Sequence, residues 1–495
     1  MAGPEDEQGS DQFINIRNQA SISLAGNFVD AAISFIGLVV FANVLGADGF
    51  GKFYVLLAIV KVCLFPIAGI GQSIMKRGSE RGLDPAVFLG GGLTYGGVYA
   101  LIASVVILTV YLVDSTLLQY SPELVAGAFA VFVSRLVYML LLDAYRSHGK
   151  TGFATLTDNA HGIIETGAQI SFILAGFGVM GLLAGTAVTT FAVSAVLLVF
   201  SKIKIAKPSL ETLRSIKRFA RWSVLTSGLG TVYDRLPVLV LGMVLGNAVA
   251  GYYTSAMRLL MLGSYVGGAI APALMVRTSA SDSEESGEPD LSDLRISIQY
   301  VGVLAIPMMF GSLAIPNALM VTIFGPTFAG TGAVLVGLGI YHVFNTYDTV
   351  ISSFIDGIDR PDYTTKATTL ALLVRVGLII ASISQFGIIG VVASVVISHA
   401  IHLGVVQYFL LSHFGQAVFS LGITVQVISA AVMWTVVTNL PTIVEITNWF
   451  RLVTIVGIGA MCYTVTLLAI DSQFRDILQS TLREALSQVT HVLGY

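Results

Sequence analysis

The chain has 495 residues, of which 55% are hydrophobic and 11% charged, with a net charge of −3 and a mean hydropathy of +0.83. A soluble domain carries about 25% charged residues. A chain this apolar cannot cover itself with polar surface, so its solvent over most of its length is lipid. The net charge does not suggest nucleic acid, and none is expected as a partner.

Residues 1–21 are polar and acidic and lack the apolar stretch of a signal peptide, so they read as a cytoplasmic N-terminal segment. Apolar runs of spanning length follow at 22–45, 51–75, 86–113, 122–146, 153–176, 179–200, 219–245, 250–275, 296–323, 331–356, 363–385, 388–412, 419–440 and 448–470. This predicts an all-α integral membrane protein of about 14 transmembrane helices. Cys63 and Cys462 fall inside spans and read as small buried hydrophobes.

Orientation follows from Lys and Arg, which concentrate on the cytoplasmic side. With the N-terminus inside and the spans alternating, the outer loops hold only Lys52 and Arg451 of the chain's 26 basic residues. Lys61, Arg135, Arg235, Arg258 and Arg375 fall within spans, and all the others lie inside. Both termini are therefore expected in the cytoplasm of a multi-pass cell-membrane protein. A basic stretch at 201–222 is expected to lie on anionic lipid, its first part, 201–218, serving as a linker. An acidic stretch at 279–293 reads as a solvated loop. In the tail, 471–495, the spacing of Phe474, Ile477, Leu478, Leu482 and Leu486 predicts an amphipathic surface helix.

The chain repeats itself weakly. Val44-Leu45-Gly46 recurs as Val244-Leu245-Gly246, and Gly51 recurs as Gly251. Phe177-Gly178-Val179-Met180-Gly181 recurs as Phe386-Gly387-Ile388-Ile389-Gly390 at nearly the same separation. Two matches in one order predict two pseudo-symmetric six-helix lobes, 22–200 and 219–412, followed by a helix pair within 413–470. Lobes of this kind pack around a cavity near the midplane and rock to give alternating access.

The opening segment, Asn18-Gln19-Ala20-Ser21 running into a helix that ends Val44-Leu45-Gly46-Ala47-Asp48-Gly49-Phe50-Gly51, resembles polysaccharide flippases of the Wzx type. These belong to the MOP superfamily, which also contains the MATE exporters, and an LG-x-x-x-[FY]-G ending of helix 1 is typical there. The resemblance implies a V-shaped, two-lobed transporter that flips polyprenyl- or dolichyl-(pyro)phosphate-linked glycans. Fourteen helices fit the Wzx side, since MATE members usually have twelve.

A charge at the bilayer centre costs several kcal/mol, so intramembrane ionisable residues are functional candidates. Lys61, Arg135, Arg235, Arg258 and Arg375 would together form a cationic head-group site, with Arg suited to bidentate phosphate contacts. Asp30, Asp158, His161, Glu165, Asp234 and Asp348 are candidates for coupling to H+ or Na+. Asp143 sits near the cytoplasmic end of its span. Structural ion pairing competes with both roles. Asp158, His161 and Glu165 share one helix face and bind a cation or pair with a base such as Arg375. His342, Asn345 and Asp348 share another face, and His399 and His402 lie on helix 12.

Two other functions compete. A MATE-like, cation-coupled exporter of small molecules would have twelve helices and an acid-lined cavity. A membrane glycosyltransferase or glycan polymerase would need a sizeable acidic outer loop, and here the longest, near 441–447, carries only Glu445. No phosphate-binding G-x-x-x-x-G-K-[ST] loop is present, so ATP hydrolysis is not expected. The sequence therefore favours a transporter over an enzyme, with no cofactor, and with a lipid-linked glycan, membrane lipid and H+ or Na+ as partners.

Overall fold

The computed structural model describes residues 4–80, 83–113, 119–200, 204–282, 291–416, 418, 421–442, 445–476 and 479, with side chains from Val29 onward apart from 280–282, 421 and 442. Every element among them is helical: α1 (Pro4–Gly78), α2 (Pro85–Val113), α3 (Pro122–Ser147), α4 (Thr151–Leu174), α5 (Gly178–Phe200), α6 (Leu210–Val240), α7 (Asn247–Leu260), α8 (Tyr265–Asp282), α9 (Leu291–Ala314), α10 (Pro316–Phe324), α11 (Gly332–Gly357), α12 (Pro361–Phe414), α13 (Leu421–Asn439) and α14 (Trp449–Ile470). With no water in the hydrocarbon, only a helix satisfies its own backbone hydrogen bonds, and the described elements answer that constraint.

Among the described residues, ten helical segments are long and apolar enough to cross a membrane. Two of them, α1 and α12, contain a glycine with positive φ, Gly46 (φ 65°) and Gly387 (φ 53°), and each supplies two passes. The helices α4 and α11 are long enough to span but fall outside the ten, because Asp158, His161 and Glu165, and His342, Asn345 and Asp348, dilute their apolar character. Counting them gives fourteen passes, in the order read from the sequence.

Several boundaries move. The span expected at 296–323 is divided, because Pro316 opens a new helix, α10, and cannot continue α9. Much of the basic stretch expected as a linker is helix. Ser209 caps α6 by accepting from the Thr212 N–H at 3.0 Å, and the helix then runs unbroken into the membrane. Arg214, Lys217, Arg218 and Arg221 are exposed along it, while Ile216 and Ala220 are buried. Cys63, expected to be buried, is exposed on α1. The amphipathic tail lies mostly outside the described residues.

The chain divides into two compact units, Met1–Gly251 and Tyr252–Tyr495. In the first, α1 packs on α3, α4 and α6, and α5 fills in behind α3 and α4. Small residues let these helices approach: a Cβ on Gly37 would collide with Thr166, and one on Gly92 with Ile74. In the second unit α11 is central, packed on α8, α9 and α12, with Leu294, Ile298, Val301, Val350, Ile351 and Phe354 fully buried between them. There α13 packs on α9 and α14.

The repeated sequences adopt matching backbones. Gly46 (φ 65°, ψ −178°) and Gly246 (φ 98°, ψ 162°) occupy a region open essentially to glycine alone, and each bends the chain between two helices. The segments after them meet each other. A Cβ on Gly51 would collide with the Asn247 carbonyl oxygen, and a Cβ on Gly251 with the Ala47 carbonyl oxygen. The Tyr120 hydroxyl donates to Asn247 Oδ1 at 2.8 Å beside this contact. Gly178 (φ 57°) and Gly387 (φ 53°), the second matched pair, share a positive φ too.

Candidate functional site

Two polar clusters interrupt the apolar helices, one in each unit. The first lies among α3, α4 and α5. Arg135 on α3 makes an ion pair with Glu165 Oε2 on α4 at 2.5 Å. The other Glu165 oxygen accepts from the Thr186 hydroxyl at 2.9 Å and from Gln169 Nε2 at 3.4 Å, and Gln169 also donates to Thr186 at 2.8 Å. His161 is buried: its Nε2 sits 3.0 Å from Thr190 Oγ1 and 3.7 Å from Glu165, and its ring stacks on Tyr138 at 4.6 Å. The Tyr138 hydroxyl donates to Asp158 at 3.0 Å. Asp30 on α1 comes up against Gly162 of α4, and its Oδ1 is buried with no hydrogen-bond partner among the described residues.

The second cluster lies between α11 and α12. Asp348, 8% exposed, has Oδ1 at 2.9 Å from His402 Nδ1 and Oδ2 at 3.8 Å from His399 Nε2. The far nitrogen of His402 lies 3.1 Å from Thr368 Oγ1. Arg375, only 2% exposed, donates from Nε to Ser398 Oγ at 2.8 Å and from a terminal nitrogen to the Val395 carbonyl at 3.5 Å. His342, one turn and a half before Asp348 on α11, is held by Ser264 and by the Met257 carbonyl, both at 3.1 Å.

The structure thus gathers Asp30, Arg135, Asp158, His161 and Glu165 into one cluster, and places Asp348 and Arg375 in the other. Glu165 takes Arg135 as its ion partner, where the sequence also allowed Arg375. The remaining expected site residues sit on other helices. Lys61 (α1), Arg235 (α6) and Arg258 (α7) are half-buried, and Asp234 (α6) is exposed. Asp143 pairs with Arg146 at 2.8 Å near the end of α3. Sequence reasoning passed over Gln169, Thr186, Thr190, Thr368 and Ser398. Gln169 was within reach of it, since it continues the helical stripe of His161 and Glu165 by one more turn.

Comparison with known proteins supports the fold. Residues 147–332 match the family described as polysaccharide biosynthesis protein. Two proteins of Haloferax volcanii are similar along nearly their whole length. One is a probable flippase, AglR, 24% identical over 476 residues, covering 94% of this chain and 98% of the relative. The other is a probable low-salt glycan biosynthesis flippase, Agl15, 24% identical over 465 residues, covering 91% and 95%. Among solved structures, the lipid II flippase MurJ in an inward closed conformation superposes with a TM-score of 0.75 at 14% identity, over 92% of this chain and 99% of that one. An inward-facing MATE multidrug transporter of the MOP superfamily superposes less well, with a TM-score of 0.59 at 17% identity over 78% of this chain and 96% of that one.

Proposed function

We propose that this protein is a flippase of the MOP superfamily that moves a polyprenyl- or dolichyl-(pyro)phosphate-linked oligosaccharide across the cytoplasmic membrane by alternating access. The observation that carries this reading is full-length similarity to two proteins named as flippases, one of them for glycan biosynthesis. The MurJ-like fold supports it further, and is closer than the MATE fold. The work is transport, with no covalent change in the glycan. Both termini face the cytoplasm, as the distribution of Lys and Arg requires. Six-helix lobes, 22–200 and 219–412, rock about a central cavity.

Within that cavity the head group meets Lys61, Arg135, Arg235, Arg258 and Arg375, whose charges complement a phosphate or pyrophosphate. A gradient of H+ or Na+ drives the cycle through acids among Asp30, Asp158, Glu165, Asp234 and Asp348, with His161 alongside.

The decisive experiment deletes the gene and examines the carrier lipid. Full-length, chemically unaltered lipid-linked glycan stranded on the cytoplasmic leaflet is the expected outcome. Shortened or unpolymerised glycan at the outer surface would replace this reading with a glycosyltransferase or polymerase. Single cysteines at Ala248 and at Lys207 should label from opposite sides of the membrane, and labelling from one side would overturn the orientation.

A further inference from the structure

The hydrogen bonds around His342 and His402 assign these two histidines different protonation behaviour. The Met257 carbonyl only accepts, so His342 carries its hydrogen on Nε2. Its Nδ1 then accepts from the Ser264 hydroxyl. His342 is fully satisfied as a neutral ring, and neither of its nitrogens meets a carboxylate in these hydrogen bonds.

His402 differs at both nitrogens. Its Nδ1 faces a carboxylate oxygen 2.9 Å away, which needs a hydrogen between them. Its Nε2 faces the Thr368 hydroxyl, and that hydroxyl has a second acceptor, the Thr364 carbonyl, at 2.9 Å. Two complete arrangements follow. With Thr368 donating to Thr364, Nε2–H donates to Thr368, Nδ1 shares a hydrogen with Asp348, and the Asp348–His402 pair holds one added proton. When that proton leaves, the Thr368 hydroxyl turns to donate to Nε2, and Nδ1–H still donates to Asp348. Each state keeps every hydrogen bond of the pair, so proton uptake and loss strand neither His402 nitrogen.

The geometry points to the Asp348–His402 pair, with Thr368 as its rotating hydroxyl, as the site that binds the coupling ion, and to that ion as a proton. The inference rests on the transporter reading above and names its ion and its site. The other titratable groups facing the pair are His399, across Asp348 Oδ2 at 3.8 Å, and Arg375 and His342, both within electrostatic reach of His399. Tyr341 packs its ring on His399 at 4.9 Å. Sodium fits this setting poorly. It needs several oxygens, and here imidazole nitrogens face both carboxylate oxygens. Asp348, His399 and His402 are all buried, so a proton held there is occluded from both sides in this conformation. The step is balanced: one proton enters the pair from one compartment, one leaves to the other, and no covalent bond to carbon changes.

The test has two arms. Infrared difference spectra of the purified full-length protein between low and high pH should contain a carboxyl band that disappears in Asp348→Asn, shifts in Thr368→Val and His402→Gln, and persists in His342→Gln. This arm is independent of any glycan. The second arm uses proteoliposomes and a fluorescent short-chain polyprenyl diphosphate bearing N-acetylglucosamine. One pH unit across the bilayer is a tenfold ratio of proton activity, so it should shift the leaflet distribution of this probe by about tenfold in the wild type and in His342→Gln. The shift should vanish in His402→Gln and Asp348→Asn, and His402→Gln carries the test alone if Asp348→Asn does not fold. A wild-type spectrum without an Asp348-dependent band, or a full gradient response in His402→Gln, overturns the proposal. An Asp348-dependent band in a protein that moves no lipid-linked sugar keeps the proton site and overturns the substrate reading instead.

Discussion

The two polar clusters contain the same kinds of residue and are wired differently. In the first unit the Glu165 carboxylate is surrounded by Arg135, Thr186 and Gln169. Arg135 is charged at every pH a cell reaches, so this carboxylate always has a permanent counter-charge beside it. In the second unit the Asp348 carboxylate is met by His402 and His399, which gain and lose protons in the physiological range when unperturbed. Each cluster also has an imidazole against a threonine, His161 with Thr190 at 3.0 Å and His402 with Thr368 at 3.1 Å. The lesson is that the partner, more than the acid, decides whether a buried carboxylate is a strut or a switch.

The largest effect should come from breaking the strut. Glu165→Gln leaves Arg135 without its counter-charge and should cost about 3 kcal/mol, the loss typical of a broken buried pair. Thermal unfolding of the detergent-solubilised protein measures it. Adding Arg135→Met should restore most of the loss, and simple additivity of the two changes would show that the pair is not coupled. Ser398→Ala in the second unit should cost about 2 kcal/mol, because the acceptor of a charged guanidinium nitrogen is removed while the helix stays intact.

Thr190→Val sharpens the comparison further. It keeps the side-chain shape, should cost about 1 kcal/mol, and should leave the pH profile of transport unchanged. Its counterpart Thr368→Val should move that profile, so identical pH profiles for the two variants would erase the distinction between strut and switch. The smallest effect belongs to an exposed acid outside the membrane. The hydrogen bond from Lys366 to Asp362, at 2.8 Å, holds this carboxyl below the usual carboxylate range, with Arg360 adding to it. Because the folded pKa is the lower one, its contribution is present above the unfolded carboxylate pKa of about 4 and fades as pH falls through the folded value. Asp362→Asn should therefore narrow the difference in melting temperature between neutral and acid pH slightly, and a widened difference would contradict the sign.

The fourteen passes were legible because hydrophobic length is a property of each segment by itself. Even α4 and α11, the two polar helices, could be read, since their charges line one face and leave the others apolar. Boundaries were less legible where a local signal was overlooked. Pro316 announces a helix start and Ser209 announces a cap, yet both sit inside stretches whose overall character, apolar in one case and basic in the other, pointed elsewhere. For the clusters, the sequence supplied the charged members and their faces. It could not supply the partner of Glu165, because Arg135 and Arg375 are equally basic and only packing separates them. Nor could it single out Thr368 or Ser398 from the many hydroxyls of apolar helices, which commonly bond to their own backbone.

The contact after Gly46 and Gly246 has the form of an interface between two copies of one protein. The Ala47 carbonyl faces Gly251, and the Asn247 carbonyl faces Gly51. Residue and partner exchange roles, as they do across the dyad of a homodimer. Such a seam has no leading half. Whatever parts one carbonyl from its glycine parts the other as well, so the contact separates as a unit. A methyl group added to either glycine makes the same collision from the opposite side. One polypeptide carries here the self-complementary surface that a dimer would need two chains to build.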